Sequence, residues 1–344
     1  MEDTVHEQLE EYLQNHAVQK ILVICDQKVY ELNPDYFKVG YFDQHHIQLY
    51  FFPIEATEQN KTMNTVMLIF DYLMQQSFEK DSLIINWGGG IVSDIGGFVA
   101  AFFKRGVRLI NIPTTLLAMV DAAHGGKNGV NFHHIKNGLG SIYFPDRVIL
   151  NSRFLDTLPD NEILSGFGEL LKSALLGIPL IWNDLLEKVN DVKSIRSWIL
   201  DELIWGVKEF KNYIVQLDPQ DIGIRQVLNF GHTIGHAIES YYLNQKMEIS
   251  HGYAVAIGIY FEVQLSYQLG FLSDSDKNQI QEFILRLYQI PDISPKMADQ
   301  IALYTNQDKK IRSGIVRFTA LRMIGDPVHS VSINAEQIKA CLLK

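Results

Sequence analysis

Apolar residues come in short bursts along the first part of the chain. Residues 20–25 and 47–52 are compact, β-branched and aromatic runs. Residues 82–87 form a third such run, which empties into Gly88, Gly89 and Gly90. Between the runs, residues 61–76 and 92–103 place apolar positions at helical spacing, and 107–112 is a further strand-like run stopped by Pro113. Strands alternating with helices predict parallel pairing, with the helices laid on the faces of the sheet. After about Asn151 the pattern changes. Residues 163–176, 194–217, 225–242, 253–269 and 276–288 repeat at the helical period, and one strand-like stretch, 314–319, comes late. The fold expected is α/β: a Rossmann-like N-terminal domain over residues 1–152 and a mostly α-helical domain over 153–344. No repeat or low-complexity linker separates the halves, so the crevice between them is the expected ligand site.

Length agrees, since single cores stop growing near ~250–300 residues and the chain has 344. A net charge of −10 argues against a general nucleic-acid or anionic-membrane binder. It leaves room for a local basic pocket and an anionic substrate. The two cysteines, Cys25 and Cys341, form no CxxC pair, which argues against a disulfide framework or a cysteine zinc site. No apolar run approaches the ~18 residues of a membrane span, and the acidic first residues lack a signal-peptide core. A cytoplasmic protein is expected.

Two patterns carry chemistry. Gly88-Gly89-Gly90 follows a strand and opens a helix, so the backbone can approach a pyrophosphate at a helix N-terminus. A plain strand-to-helix turn would look similar, and this is not the GxGxxG fingerprint. His232 and His236 stand four apart, on one helical face. His251 opens another helical stretch, and Glu169 lies among Phe167, Leu170 and Leu171, where a carboxylate needs a cation. Lys172, three residues on, is one such cation; a metal is another. One glutamate and two histidines suit catalytic zinc with positions left for substrate. Lys127, Lys136, Lys172, Lys211, Arg225, Lys309 and Lys310 fall near these segments, although surface lysines are common.

Together these stretches resemble 3-dehydroquinate synthases, from about Asp26 to Lys310. The resemblance rests on Glu58-Gln59-Asn60-Lys61, on Gly88-Gly89-Gly90 through Asp94 to Phe98, and on Arg105-Gly106-Val107. It continues through Pro113-Thr114-Thr115, Asp121 to Lys127, Lys136-Asn137, Glu169 with Lys172, residues 229–239, and Ser250-His251-Gly252. By position it implies metal ligands at Glu169, His232 and His251, with His236 beside them. It implies NAD contacts at Asp26, Glu58, Lys61, Gly89, Gly90, Asp94, Thr114, Thr115, Asp121, Lys127, Lys136, Phe154 and Thr157. Substrate contacts fall on Asp121, Lys127, Lys136, Asn137, Lys172, Lys211, Arg225, Asn229, His236 and Lys309 or Lys310. Arg105 resembles a residue that reaches a neighbouring subunit, which implies a homodimer.

The implied reaction converts 3-deoxy-D-arabino-heptulosonate 7-phosphate to 3-dehydroquinate and phosphate, using NAD and a divalent metal, zinc or cobalt. The chain departs from the family pattern at Ala123, His124, Asn128, Ser173 and Tyr253. A sister cyclase acting on another sugar phosphate, a metal-dependent alcohol or glycerol dehydrogenase, and a non-catalytic NAD-binding protein are the competing readings.

Overall fold

A computed structural model of the chain describes residues 4–37, 39–133, 135–199, 201–305 and 316–343. Two compact units meet at a boundary in the chain, Met1–Thr157 and Leu158–Lys344.

The first unit runs α1 (Thr4–Asn15), β1 (Lys20–Asp26), α2 (Gln27–Leu32), α3 (Val39–Gln44), β2 (Gln48–Ile54), α4 (Met63–Gln75), β3 (Leu83–Gly88), α5 (Gly90–Phe102) and β4 (Arg108–Pro113). A hairpin, β5 (Lys127–Phe132) and β6 (Ile135–Ile142), and a short β7 (Arg147–Val148) follow. Five strands form a parallel sheet in the order β2-β1-β3-β4-β7. Side chains alternate across a strand, and β1 splits accordingly. Ile21, Val23 and Cys25 join one apolar layer with Trp87 and Ile112. Leu22 and Ile24 join the other, with Val66, Ile69 and Val99 from α4 and α5. Burial on both faces explains why these strands read as unbroken apolar runs.

The second unit contains α6 (Asp160–Gly177), α7 (Pro179–Lys188), α8 (Val192–Trp198), α9 (Asp201–Leu217), α10 (His232–Asn244), α11 (His251–Gln268), α12 (Asp274–Leu287) and α13 (Pro295–Thr305). A hairpin of β8 (Val316–Met323) and β9 (Asp326–Ile333) and a last helix, α14 (Ala335–Leu342), complete it. Helix α11 is buried on most of its circumference and packs against α6, α10 and α12. None of the described helices is long and apolar enough to cross a membrane.

Two helices expected from periodicity are broken. The stretch 194–217 divides into α8 and α9, because Ile199 turns to extended backbone. The stretch 225–242 divides into a 3-10 turn, Ile224–Asn229, and α10, with Gly231 left-handed at φ 77° between them. Apolar spacing continues through both breaks, with Ile199 and Val227 buried, so periodicity alone could not find them.

Candidate active site

Helix α6 carries Glu169 into the core, where it is 1% exposed. Two histidines meet it, each the first residue of a helix: His232 on α10 and His251 on α11. Both Nε2 atoms lie 3.3 Å from Glu169 Oε1, and Lys172 Nζ lies 2.5 Å from Oε2. Among the described residues neither buried carboxylate oxygen has a donor in hydrogen-bonding geometry, although the Lys172 ammonium pairs with Oε2. An anion so placed calls for a cation. The other ring nitrogens are already engaged: His232 Nδ1 lies 3.1 Å from the Phe230 carbonyl and His251 Nδ1 lies 3.4 Å from Glu239 Oε2. Such partners orient an imidazole and leave Nε2 for a metal. His236 joins the group, since ligand nitrogens of His232, His236 and His251 lie within 4.8 Å of one another. Contact with Glu169 singles out His232 and His251.

The electrostatics match. Burial pushes Glu169 upward, but Lys172 and the two histidines outweigh it and hold the carboxyl well below the usual range. Burial and Lys172 pull His232 down. For His251 burial opposes the charge, yet Glu169 and Glu239 carry it up to about 10. Two carboxylates thus face one imidazole, and a divalent ion would replace its proton. The mixed oxygen and nitrogen donor set fits zinc or cobalt.

Besides Lys172, two further cations in this unit are almost wholly buried: Lys211 on α9 and Arg225 on the 3-10 turn. Asp218 builds the turn that holds Arg225, accepting from the backbone N–H of Ile222, Gly223 and Arg225 at 3.1, 2.7 and 3.1 Å. Asn229 ends the same turn. Lys309 and Lys310 lie outside the described residues.

In the first unit Asp26, Gly89, Gly90, Thr114 and Thr115 stand at the carboxyl ends of β1, β3 and β4, where parallel sheets bind ligands, while Glu58 and Lys61 follow β2 and Phe154 and Thr157 follow β7. Asp26 ends β1 and caps α2. Gly89 precedes α5 with no side-chain cap, and Gly90 begins the helix. Thr114 and Thr115 follow β4, and the buried Thr114 Oγ1 has no partner among the described residues. Phe154 packs on Tyr36, ring centroids 5.2 Å apart, and Thr157 is exposed at the end of the same turn. Asp121 lies on a π-helical turn, Ala118–Ala122, a feature common at functional sites.

A second cluster joins groups expected to serve cofactor and substrate. Lys61 Nζ reaches Asp94 Oδ2 at 2.5 Å and Asn137 Oδ1 at 2.6 Å. Burial raises the Asp94 carboxyl, against the pull of Lys61. Asn131, which the sequence did not single out, donates to Glu58 Oε1 at 2.8 Å and accepts from the Asn137 N–H at 2.9 Å. This holds Asn137 at a left-handed φ of 48°. Lys136 and Asn137 stand next to the hairpin turn. Lys127 pairs with Ile142 at the opposite end, so the hairpin does not bring them together. Arg105 is exposed on a turn in which Lys104, Arg105 and Gly106 all have positive φ, of 47°, 64° and 99°. Left-handed non-glycine backbone costs energy and concentrates at functional segments.

Three departures from the family pattern, at His124, Asn128 and Tyr253, are accounted for by side-chain contacts within their own unit, and nothing in the structure explains Ala123. Asn128 Nδ2 donates to the carbonyls of Gly126 and Tyr143, both at 2.9 Å. His124 Nε2 lies 2.7 Å from the Met119 carbonyl, and the Ala123 carbonyl accepts from Asn111 at 2.9 Å. The Tyr253 hydroxyl accepts from the Gln289 N–H at 2.8 Å. Ser173 is buried on α6, and nothing in the structure explains it.

The chain matches the 3-dehydroquinate synthase N-terminal family over residues 51–165 and the 3-dehydroquinate synthase C-terminal family over residues 166–311. The 3-dehydroquinate synthase of Parabacteroides distasonis is 40% identical over 287 residues, covering 83% of this chain and 80% of that protein. Among solved structures, the 2-epi-5-epi-valiolone synthase of Streptomyces hygroscopicus, with NAD⁺ and Zn²⁺ bound, superposes with a TM-score of 0.83 at 25% identity, covering 95% of this chain and 91% of that one. A 2-deoxy-scyllo-inosose synthase complexed with carbaglucose-6-phosphate, NAD⁺ and Co²⁺ gives a TM-score of 0.84 at 23% identity, over 98% and 93% of the two chains, a likeness of fold. The chain belongs to the 3-dehydroquinate synthase family.

Proposed function

We propose that this chain is a 3-dehydroquinate synthase, converting 3-deoxy-D-arabino-heptulosonate 7-phosphate to 3-dehydroquinate and phosphate. The observation that carries this reading is the meeting of His232 and His251 on the buried carboxylate of Glu169, beside Lys172. When bound, NAD⁺ supplies a reversible hydride acceptor and the divalent ion a Lewis acid for a substrate hydroxyl. The change is redox-neutral overall. C5 is oxidised and later reduced, phosphate leaves between the two events, and ring opening with aldol closure completes the carbocycle.

The chain's residues divide the work. Glu169, His232 and His251 hold the ion, oriented by Glu239 and the Phe230 carbonyl. Lys127, Lys136, Lys172, Lys211 and Arg225 neutralise the substrate's carboxylate and phosphate, with Lys309 or Lys310 adding to them. Fixed cations of this kind stabilise charge on a departing phosphate without reorganising. Asp121, Asn137, Asn229 and His236 orient the hydroxyl groups, which is a positioning effect. Asp26, Glu58, Lys61, Gly89, Gly90, Asp94, Thr114, Thr115, Phe154 and Thr157 take the dinucleotide. By the family resemblance Arg105 serves the neighbouring subunit of a homodimer, and the cytoplasm is the proposed place of action.

The test is phosphate release from the heptulosonate phosphate with NAD⁺ and Zn²⁺, with the product identified by NMR. Stoichiometric phosphate and 3-dehydroquinate without net NADH is the expected outcome. Release only from another sugar phosphate would assign a sister cyclase, and net NADH from a polyol would assign a dehydrogenase.

A further inference from the structure

Helices α10 and α11 form an antiparallel pair held by carboxylates at both ends. At one end Glu239 of α10 reaches His251, the first residue of α11. At the other end Glu262 of α11 reaches the first turn of α10. Its Oε2 accepts from the Gly231 N–H at 2.7 Å and its Oε1 from the Ile234 N–H at 3.0 Å. Glu262 is 0% exposed. Gly231, the residue before α10, offers no side-chain cap of its own. An uncapped helix start leaves buried N–H groups orphaned, and here a glutamate from the neighbouring helix supplies the acceptor.

The contact is close by construction. A Cβ on Gly258 would sit 1.9 Å from the Gly231 carbonyl oxygen, and one on Gly235 would sit 2.8 Å from that of Ala254. His251, Val255, Gly258 and Glu262 follow spacings of four, three and four along α11, which is one helical face. Each of the two histidines therefore opens a helix beside a glutamate of the other: Glu239 reaches the His251 ring, and Glu262 accepts from the first-turn backbone of α10.

We infer that Glu262 is a positioning residue of the metal site. It fixes the start of α10, and with it His232, before any ion arrives. It touches neither substrate nor cofactor and acts through the backbone of Gly231 and Ile234. The inference rests on the proposed ligand set, so its test includes a control on that set.

Zn²⁺ affinity is measured by competition with a chelating dye for wild type, His232→Ala and Glu262→Gln, with melting curves to establish the folded fraction. Gln at 262 turns one acceptor into a donor facing an N–H. The expected result is loss of Zn²⁺ binding in H232A and a weakening of roughly 10- to 100-fold in folded E262Q. If H232A binds as wild type does, the ligand set itself fails. If H232A loses the ion while E262Q keeps wild-type affinity, the ligand set stands and the positioning role of Glu262 is overturned. A purely structural role would lower the melting temperature of E262Q without changing affinity per folded molecule. Should E262Q not fold, hydrogen exchange on chelator-treated wild type decides the matter. Protection of the Gly231 and Ile234 amides without metal supports the inference, and free exchange until Zn²⁺ is added overturns it.

Discussion

The proposed metal site of the second unit and the proposed nucleotide-side cluster of the first are built in opposite ways. In the second unit the groups that matter are side chains: the buried Glu169 and Lys172 on α6, with the partly buried His232 and His251 around them. In the first unit much of the surface offered is backbone, the uncapped start of α5 after Gly89, and the side chains form a relay from Glu58 through Asn131 to Asn137 and Lys61. A divalent ion needs a few donors at fixed distances. A dinucleotide needs a long, shallow set of weaker contacts. Damage to the first should therefore be total and local, and damage to the second graded and shared.

The sharpest break in this contrast is His232→Ala. Turnover should fall by on the order of 10³-fold or more with loss of bound Zn²⁺, while NAD⁺ binding by fluorescence titration holds. Equal loss of NAD⁺ affinity would erase the contrast. Lys61→Ala comes next. It strands Asp94 beside Glu58, and removing one partner of a largely buried pair costs roughly 3–5 kcal/mol. Weakened NAD⁺ binding and a lower melting temperature should follow, with metal content by atomic absorption unchanged. Asn131→Ala is milder, removing hydrogen bonds worth about 1 kcal/mol each. KM should rise several-fold with kcat little changed, and an unchanged KM would show that the relay does not matter.

The smallest effect is on pH. Burial opposes ionisation of Asp218, but the N–H donors of Gly223, Ile222 and Arg225 hold its carboxyl below the ordinary 3.8. A lowered folded value means stability that is complete above 3.8 and is lost as pH falls through the folded value. Melting temperatures of wild type and Asp218→Asn should converge on acidification. A constant gap would deny Asp218 that part.

The same contrast governs what could be read from the sequence. Strands β1, β3 and β4 were legible because burial on both faces makes continuous apolar runs. The hairpin β5–β6 was not, since β6 carries two glycines and lies largely exposed, with no period to detect. Glu169, His232 and His251 stand out by residue type and by resemblance. Asn131, Glu239 and Glu262 do not. Each works by bonding a segment remote along the chain or on another helix, and Glu262 falls on a helical face that reads as ordinary core.

The central claim is that Glu169, His232 and His251 share one cation. An anomalous difference map from a Zn²⁺-loaded crystal tests it most directly. The account predicts one strong peak about 2.0–2.2 Å from a Glu169 oxygen and from both Nε2 atoms. A peak held by His232, His236 and His251 with Glu169 still paired to Lys172, or a peak elsewhere, would contradict it.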